Sequence, residues 1–282
     1  MGKILVTGSS GFIGKQIVEK LAQHQIITDS NGKRTDLRVR EPVMKMEPVD
    51  IVIHLGGKTP QEELKWSDYF DNNISGTLNV LEYCMQKKVK KLIYVSSYVY
   101  GKPEHCPIDE DHPINPHNAY AESKYLGERL CQFYCNQSDL SVIILRPFNI
   151  FGESMREGFL IPNLIEASKT NNRITIVNKK SKRDFLHVDD FVELIIKIKD
   201  YNAKFDIFNV GSGESYSFEE IIGKIENFSS KKLNVDYQEN NKSFIDDIRT
   251  DISKIKSKIG WQPKIKFDDG LQRVLKSKYL NG

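Results

Sequence analysis

Cysteine is scarce in this chain, with four in 282 residues: Cys84, Cys106, Cys131 and Cys135. That scarcity excludes a small domain stapled by disulfides. Cys131 and Cys135 stand one helical turn apart, but no second Cys/His pair completes a zinc set, so no metal site is expected. No apolar run approaches the roughly 20 residues that cross a bilayer. The opening MGKILVTG has no charged leader followed by an apolar stretch, so no secretion signal is expected there. An excess of one charge is also missing: 41 Lys and Arg face 38 Asp and Glu, for a net charge of +3. This balance argues against a nucleic-acid or membrane-surface protein, and the lysine run near 179 to 183 reads as a solvated loop. Internal repeats and low-complexity linkers are absent. Few, unpaired thiols point to a reducing, cytoplasmic setting.

What is present is 39% hydrophobic residues, ample for a sizeable core. The apolar run KILVT ends in the turn GSSGFIG, after which Ile13, Ile17, Val18 and Leu21 recur at helical steps. VDIVIHLGG (49–57) reads as a buried strand, ISGTLNVLEYCMQKK (74–88) as a helix and VKKLIYVSS (89–97) as a strand. YAESKYLGERLCQFYCNQ then reads as a helix and LSVIILRP as a strand. Alternation of this kind predicts a doubly wound parallel α/β sheet of Rossmann type. Beyond residue 150 the pattern predicts a helix entered at Pro162, the strand RITIV, and a helix behind Asp189 and Asp190. It continues with the strand FDIFNVG, a helix capped by Ser217 with Glu220, and a Lys-rich helix stopped at Gly260. We expect a dinucleotide-binding domain over 1–150, with 186–210 returning to it. A smaller α/β substrate-binding cap would comprise 151–185 and 211–282.

Gly8, Gly11 and Gly14 are spaced G-x-x-G-x-x-G after a strand and before a helix. Glycines there permit a tight turn and close approach of the backbone to a pyrophosphate. The helix N-terminus adds free N–H groups and partial positive charge. TGSSGFIG resembles the opening of the extended short-chain dehydrogenase/reductases, the nucleotide-sugar epimerase, dehydratase and reductase family. IHLGG (53–57), DNNISGT (71–77), VSSYVYG (95–101), LRPFNIFG (145–152) and KRDFLHVDD (182–190) resemble further segments of that family, in order. FNVGSGE and IGWQP complete the series. The resemblance implies cofactor contacts at Gly8, Ser10, Gly11, Phe12, Ile13, Gly14 and Leu55, and a homodimer through the helices at 71–88 and 119–136.

Three tyrosines precede a lysine by four residues: Tyr83 with Lys87, Tyr98 with Lys102, and Tyr120 with Lys124. Tyr83 lacks a polar partner motif, and Tyr98 spans a turn that does not hold the spacing. Tyr120 lies on a clean helix, 24 residues after Ser96, as the family arrangement requires. The resemblance thus implies Tyr120 as acid/base, Ser96 as hydrogen-bond partner of the reacting oxygen, and Lys124 on the nicotinamide ribose. A lysine ammonium one turn away is expected to lower the phenol pKa. Asn73 either orders this network or caps a helix. Ser97 is expected on the substrate.

Family dehydratases carry Asp–Glu directly after the catalytic Ser/Thr, where this chain has Ser97 and Tyr98, so dehydration is not expected. Two reactions stay open: NAD(P)-dependent reduction of a 4-keto-6-deoxyhexose nucleotide, which we rank first, and 4-epimerisation of a nucleotide sugar on tightly bound NAD. Asp29 is the candidate acid for the adenosine ribose and would select NAD, whereas Lys33 and Arg34 could receive the 2′-phosphate of NADP. Asp36 resembles the residue that meets adenine. For a nucleoside-diphosphate sugar, Asn149 and Arg183 are implied at the diphosphate. The family's R-P-G-D stretch is missing: ENNKSFIDD stands there, with Lys242 and Arg249 as possible substitutes.

Overall fold

The computed structural model describes residues 2–22, 26–28, 35–60, 64–239 and 247–280. Asp29, Lys33, Arg34 and Lys242 lie outside the described residues. In chain order the first elements are β1 (Ile4–Thr7), α1 (Phe12–Lys20), β2 (Ile26–Thr28), α2 (Arg40–Met44) and β3 (Ile51–His54). Then come α3 (Trp66–Tyr69), a π-helical turn (Phe70–Ile74), α4 (Ser75–Lys87), β4 (Lys91–Val95), α5 (Ala119–Asn136) and β5 (Ser141–Pro147). The later part holds β6 (Asn149–Phe151), α6 (Leu160–Thr170), β7 (Ile174–Val177), β8 (Lys182–His187), α7 (Val188–Ile198) and β9 (Phe205–Val210). It ends with β10 (Ser215–Ser217), α8 (Phe218–Ser229), β11 (Val235–Gln238), β12 (Asp247–Ile248), α9 (Ser253–Ile259) and α10 (Phe267–Leu280). These form two units. One comprises Met1–Gly101, Pro113–Pro147 and Val192–Asn209; the other comprises Lys102–His112, Phe148–Phe191 and Val210–Gly282.

The first unit is built on a sheet of order β2-β1-β3-β4-β5-β9, with parallel registers from β2 through β5. Ile4, Leu5, Val6, Val52, Ile53, Leu92 and Ile93 are buried, which explains their near-continuous apolar runs: a parallel sheet is covered on both faces. One core joins Leu5, Val52, Leu92, Val142 and Ile144 of the sheet to Val80, Leu81 and Cys84 of α4 and to Cys131 and Cys135 of α5. Each such side chain contributes about 1.5–3 kcal/mol by leaving water. Sequence neighbours diverge at β1, which has β2 on one side and β3 on the other. The carboxyl ends of β1 and β3 therefore form the topological switch point where such sheets bind ligands.

In the second unit β8 pairs antiparallel with β10 and parallel with β12 and β6, and β7 pairs with β11. Its core gathers Phe151, Ile161, Leu164, Phe185, Ile221, Phe267 and Leu271. Ser217 and Glu220 form the expected capping box at α8. Gly260, with φ +64°, ends α9 as a left-handed cap. Several elements depart from the expected ones, among them three helices. Helix α6 begins at Leu160, so Pro162 lies inside its first turn, where a missing N–H costs nothing. The pair Asp189 and Asp190 occupies the first turn of α7 instead of preceding it. Helix α10, with an acidic first turn at Asp268 and Asp269, was not expected, because Gly270 interrupts an otherwise helical pattern.

Candidate active site

At the switch point, β1 runs into Gly8, whose φ of +69° favours glycine. The N–H of Gly11 closes the turn on the carbonyl of Gly8 at 2.9 Å. A Cβ on Gly14 would meet that same carbonyl oxygen at 2.2 Å, so the loop can lie this close only on a bare helix turn. Gly11 is the N-cap of α1 and supplies no side-chain cap, which leaves the first-turn N–H groups for a ligand. Phe12, Ile13 and Leu55 are half-buried around this cradle, and Ser10 is exposed. The donor set and its close backbone packing fit a dinucleotide pyrophosphate. Asp36 is held by Arg38, whose Nη2 lies 2.6 Å from Oδ2.

A buried polar chain runs from this loop to α5. The hydroxyl of Thr77 donates to the carbonyl of Asn73 at 2.6 Å, so it accepts from His54 Nε2 at 3.0 Å. His54 is therefore the Nε2–H tautomer. Its Nδ1 accepts from the hydroxyl of Thr7 at 2.6 Å, which in turn accepts the N–H of Gly56 at 3.2 Å. Burial, helped by the charge of Lys124, pushes His54 down to about 3, so the ring is neutral. Asn73 Nδ2 donates to Ser123 Oγ at 2.8 Å, and Ser123 donates to the carbonyl of Tyr120 at 2.8 Å. Asn73 sits in the π-helical turn and is buried, and it clasps the backbone of Lys58 through both amide atoms. It orders the network; it is not a helix N-cap. The relay through His54, Thr77 and Ser123 was not read from the sequence. The pairing of I-H with a downstream N-x-x-G-T is the signal that could have found it.

Helix α5 is capped by Asn118, whose Oδ1 accepts the N–H of Ala121 at 2.8 Å, and it carries Tyr120 and Lys124. Two expectations are corrected here. Ser96 does not face Tyr120: its hydroxyl donates to Glu128 at 2.5 Å, because its place at the end of β4 turns it inward. Ser97, half-buried, lies beside the Tyr120 phenol instead and draws its pKa downward. Nor is the Tyr120 phenol lowered. Burial pushes it up, and the hydroxyl of Ser97 pulls it part of the way back. Lys124 Nζ lies 4.4 Å from the centroid of the Tyr94 ring, and burial lowers its own pKa to about 8. The other two tyrosines are held by structure. Tyr83 is buried with its hydroxyl on the carbonyl of Glu47, and Tyr98 donates to the carbonyl of Gly101 at 2.7 Å.

In the second unit, Asn149 on β6 pairs in register with Phe185 on β8. Arg183 stands two residues before Phe185, so it shares a sheet face with Asn149. The Asn149 amide donates to the carbonyl of Asp184 at 2.8 Å. Arg183 Nη1 donates to the carbonyl of Lys182 at 2.8 Å, with its guanidinium 5.4 Å from the Phe218 ring. No group of three or more metal-ligating side chains occurs among the described residues.

A model of the NAD dependent epimerase/dehydratase family matches residues 4–211. A dTDP-4-dehydro-6-deoxyglucose reductase of Escherichia coli is 28% identical over 97% of this chain and 96% of its own length. A UDP-glucose 4-epimerase of Lactobacillus helveticus is 26% identical over 93% of this chain and 92% of its own. The solved structure of RMD from Pseudomonas aeruginosa complexed with NADPH superposes with a TM-score of 0.91 at 26% identity, covering 100% of both chains.

Proposed function

The chain belongs to the NAD dependent epimerase/dehydratase family, whose members are enzymes, and from that premise we propose that it is an NAD(P)-dependent reductase of a 4-keto-6-deoxyhexose nucleotide. What supports this reading is the half-buried Ser97 beside the Tyr120 phenol, whose pKa it draws down, at a strand end where Tyr98 and Val99, directly after that serine, offer no carboxylate. Dehydration needs an acid and a base at those positions. Reduction needs only a proton donor and a polarising hydroxyl at a ketone oxygen.

The Gly8–Gly14 turn and the first turn of α1 would hold the pyrophosphate, and Lys124 the nicotinamide ribose. The reduced nicotinamide supplies the hydride when bound. Ser97 donates to the ketone oxygen, and Tyr120 delivers the proton that completes the alcohol. A phenol kept protonated by burial is in the form that this step uses. Asn149 and Arg183 would meet the diphosphate. A second copy of the chain is the expected partner: Leu78 and Met85 on α4 and Phe133 on α5 leave an apolar stripe 39%, 38% and 60% exposed. No helix among the described residues is long and apolar enough to cross a membrane, and the unpaired thiols of Cys84, Cys131 and Cys135 suit a reducing, cytoplasmic setting.

The test is consumption of NADH or NADPH, followed at the reduced-nicotinamide band, across a panel of 4-keto-6-deoxy sugar nucleotides. Tyr120→Phe should lower kcat about 10²–10⁴-fold. Absence of consumption with every member of the panel sinks the reductase reading. The likeness to a UDP-glucose 4-epimerase favours a second reading, 4-epimerisation. Purified protein that carries NAD and interconverts UDP-sugars without added cofactor would establish it.

A further inference from the structure

Glu128 is a buried carboxylate to which the mechanism above assigns no task. It and Arg146 are only 3% and 4% exposed, with Arg146 Nη2 2.7 Å from Oε2 and Nε 3.0 Å from Oε1. Arg146 Nη1 donates to Tyr100 at 2.7 Å, and the Tyr100 hydroxyl donates to Asn209 at 2.6 Å. A buried ion pair is weak support for stability alone, since an apolar pair of the same volume does as well. Here the carboxylate has other neighbours. It accepts the Ser96 hydroxyl at 2.5 Å, one residue before the serine that faces Tyr120. On α5, Tyr120, Lys124 and Glu128 follow at four-residue steps, which places them along one face.

We propose that Glu128 is a positioning residue of the active site: its carboxylate is the shared counter-charge of Arg146 and Lys124, and its hold on Ser96 fixes the backbone from which Ser97 reaches Tyr120. The proposal rests on the reading of Ser97, Tyr120 and Lys124 as the reacting set. The groups around Glu128 are Tyr94 from β4, Ser96 and Tyr100 from the loop that follows it, Arg146 from β5, and Lys124 and Cys131 from α5. Burial pushes Tyr94 and Cys131 up, so both stay neutral. Lys124 is drawn down mainly by burial, against the opposing pull of Cys131 and Glu128. Glu128, one helical turn beyond Lys124, is the carboxylate that opposes this lowering where Lys124 would hold a ribose. Arg146 remains cationic on the same carboxylate.

The experiment measures NADH and NADPH binding to the full chain by nicotinamide fluorescence from pH 6 to 10. Wild-type affinity should fall along an alkaline limb as Lys124 loses its proton, and Lys124→Met should abolish that limb. Glu128→Gln should move the limb about one unit toward lower pH, a tenfold change in proton affinity. This variant leaves a guanidinium buried without its partner, so Glu128→Gln/Arg146→Met is the companion. It should move the limb in the same direction by a similar amount, since Glu128 and not Arg146 acts on Lys124. A limb that stays at the wild-type pH in a folded variant overturns the role of Glu128 alone. A limb that survives Lys124→Met overturns the role given to Lys124, and this proposal with it.

Discussion

Ser96 and Ser97 are neighbours with opposite fates, because successive side chains at a strand end point to opposite sides. Ser96 completes a buried carboxylate and Ser97 serves a phenol. Ser97→Ala should therefore lower kcat on the order of 10²-fold with little change in melting temperature. Ser96→Ala should chiefly destabilise, by about 1–3 kcal/mol, since it removes one donor from a buried charge. Steady-state kinetics beside thermal melts separates the two, and a larger kcat loss at Ser96 would reverse the assignment. His54 adds a pH signature. Its folded pKa of about 3 lies below the ordinary 6.5, so folding releases a proton from this ring whenever the unfolded chain would carry one. Its contribution is fully present above pH 6.5 and is lost at about 1.4 kcal/mol per unit as pH falls below that value. The melting temperature should decline from pH 6.5 to 4, and His54→Gln should flatten that slope. The expectation for Tyr120 and Lys124 came from a helix that holds the pair and from the distance to Ser96, since the spacing alone occurs three times. It did not extend to which of two adjacent serines turns outward, because that depends on where β4 ends.

At the scale of elements, the apolar periodicity of ISGTLNVLEYCMQKK concealed two faces. Leu81 is buried, whereas Leu78 and Met85, seven residues apart, are exposed together. Tyr134 of α5 donates to Glu82 of α4, so the two helices present their outer sides as one surface. Met85→Lys with Phe133→Lys should convert a dimer into a monomer in light scattering while leaving the far-UV spectrum intact. A wild-type chain that is already monomeric at micromolar concentration would refute the stripe as an interface. The π-helical turn before α4 carries the buried Asn73, and no composition or period announces it: one extra residue in a helical turn leaves the flanking pattern almost unchanged. Caps were legible, as at Ser217 with Glu220, because capping chemistry is local. Helix α10 was not, because its Gly270 lies where a Cβ would meet His187 and Phe151 at 2.8 Å. That glycine answers to packing against β6 and β8, not to helix propensity.

At the scale of the molecule, alternation of strand and helix foretold the parallel sheet, and the sheet's order brings the ends of β1 and β3 together. A phosphate loop at any other βα junction would lack this crevice, so position gives G-x-x-G-x-x-G its meaning. The loop and the fold are then coupled through Gly14, where a Cβ would press on the carbonyl of Gly8 at 2.2 Å. A ligand that binds only the folded chain adds RT ln(1 + [L]/Kd), about 2.7 kcal/mol at a hundredfold excess over Kd. Wild-type protein should therefore melt several degrees higher in saturating NADH or NADPH, and the better ligand should give the larger shift. Gly14→Ala should lower the melting temperature without ligand and, in the same scan, abolish the increment from the cofactor. If the increment survives in Gly14→Ala, the dinucleotide binds somewhere other than the switch point, because a loop displaced by a methyl group cannot present the same N–H groups to a pyrophosphate.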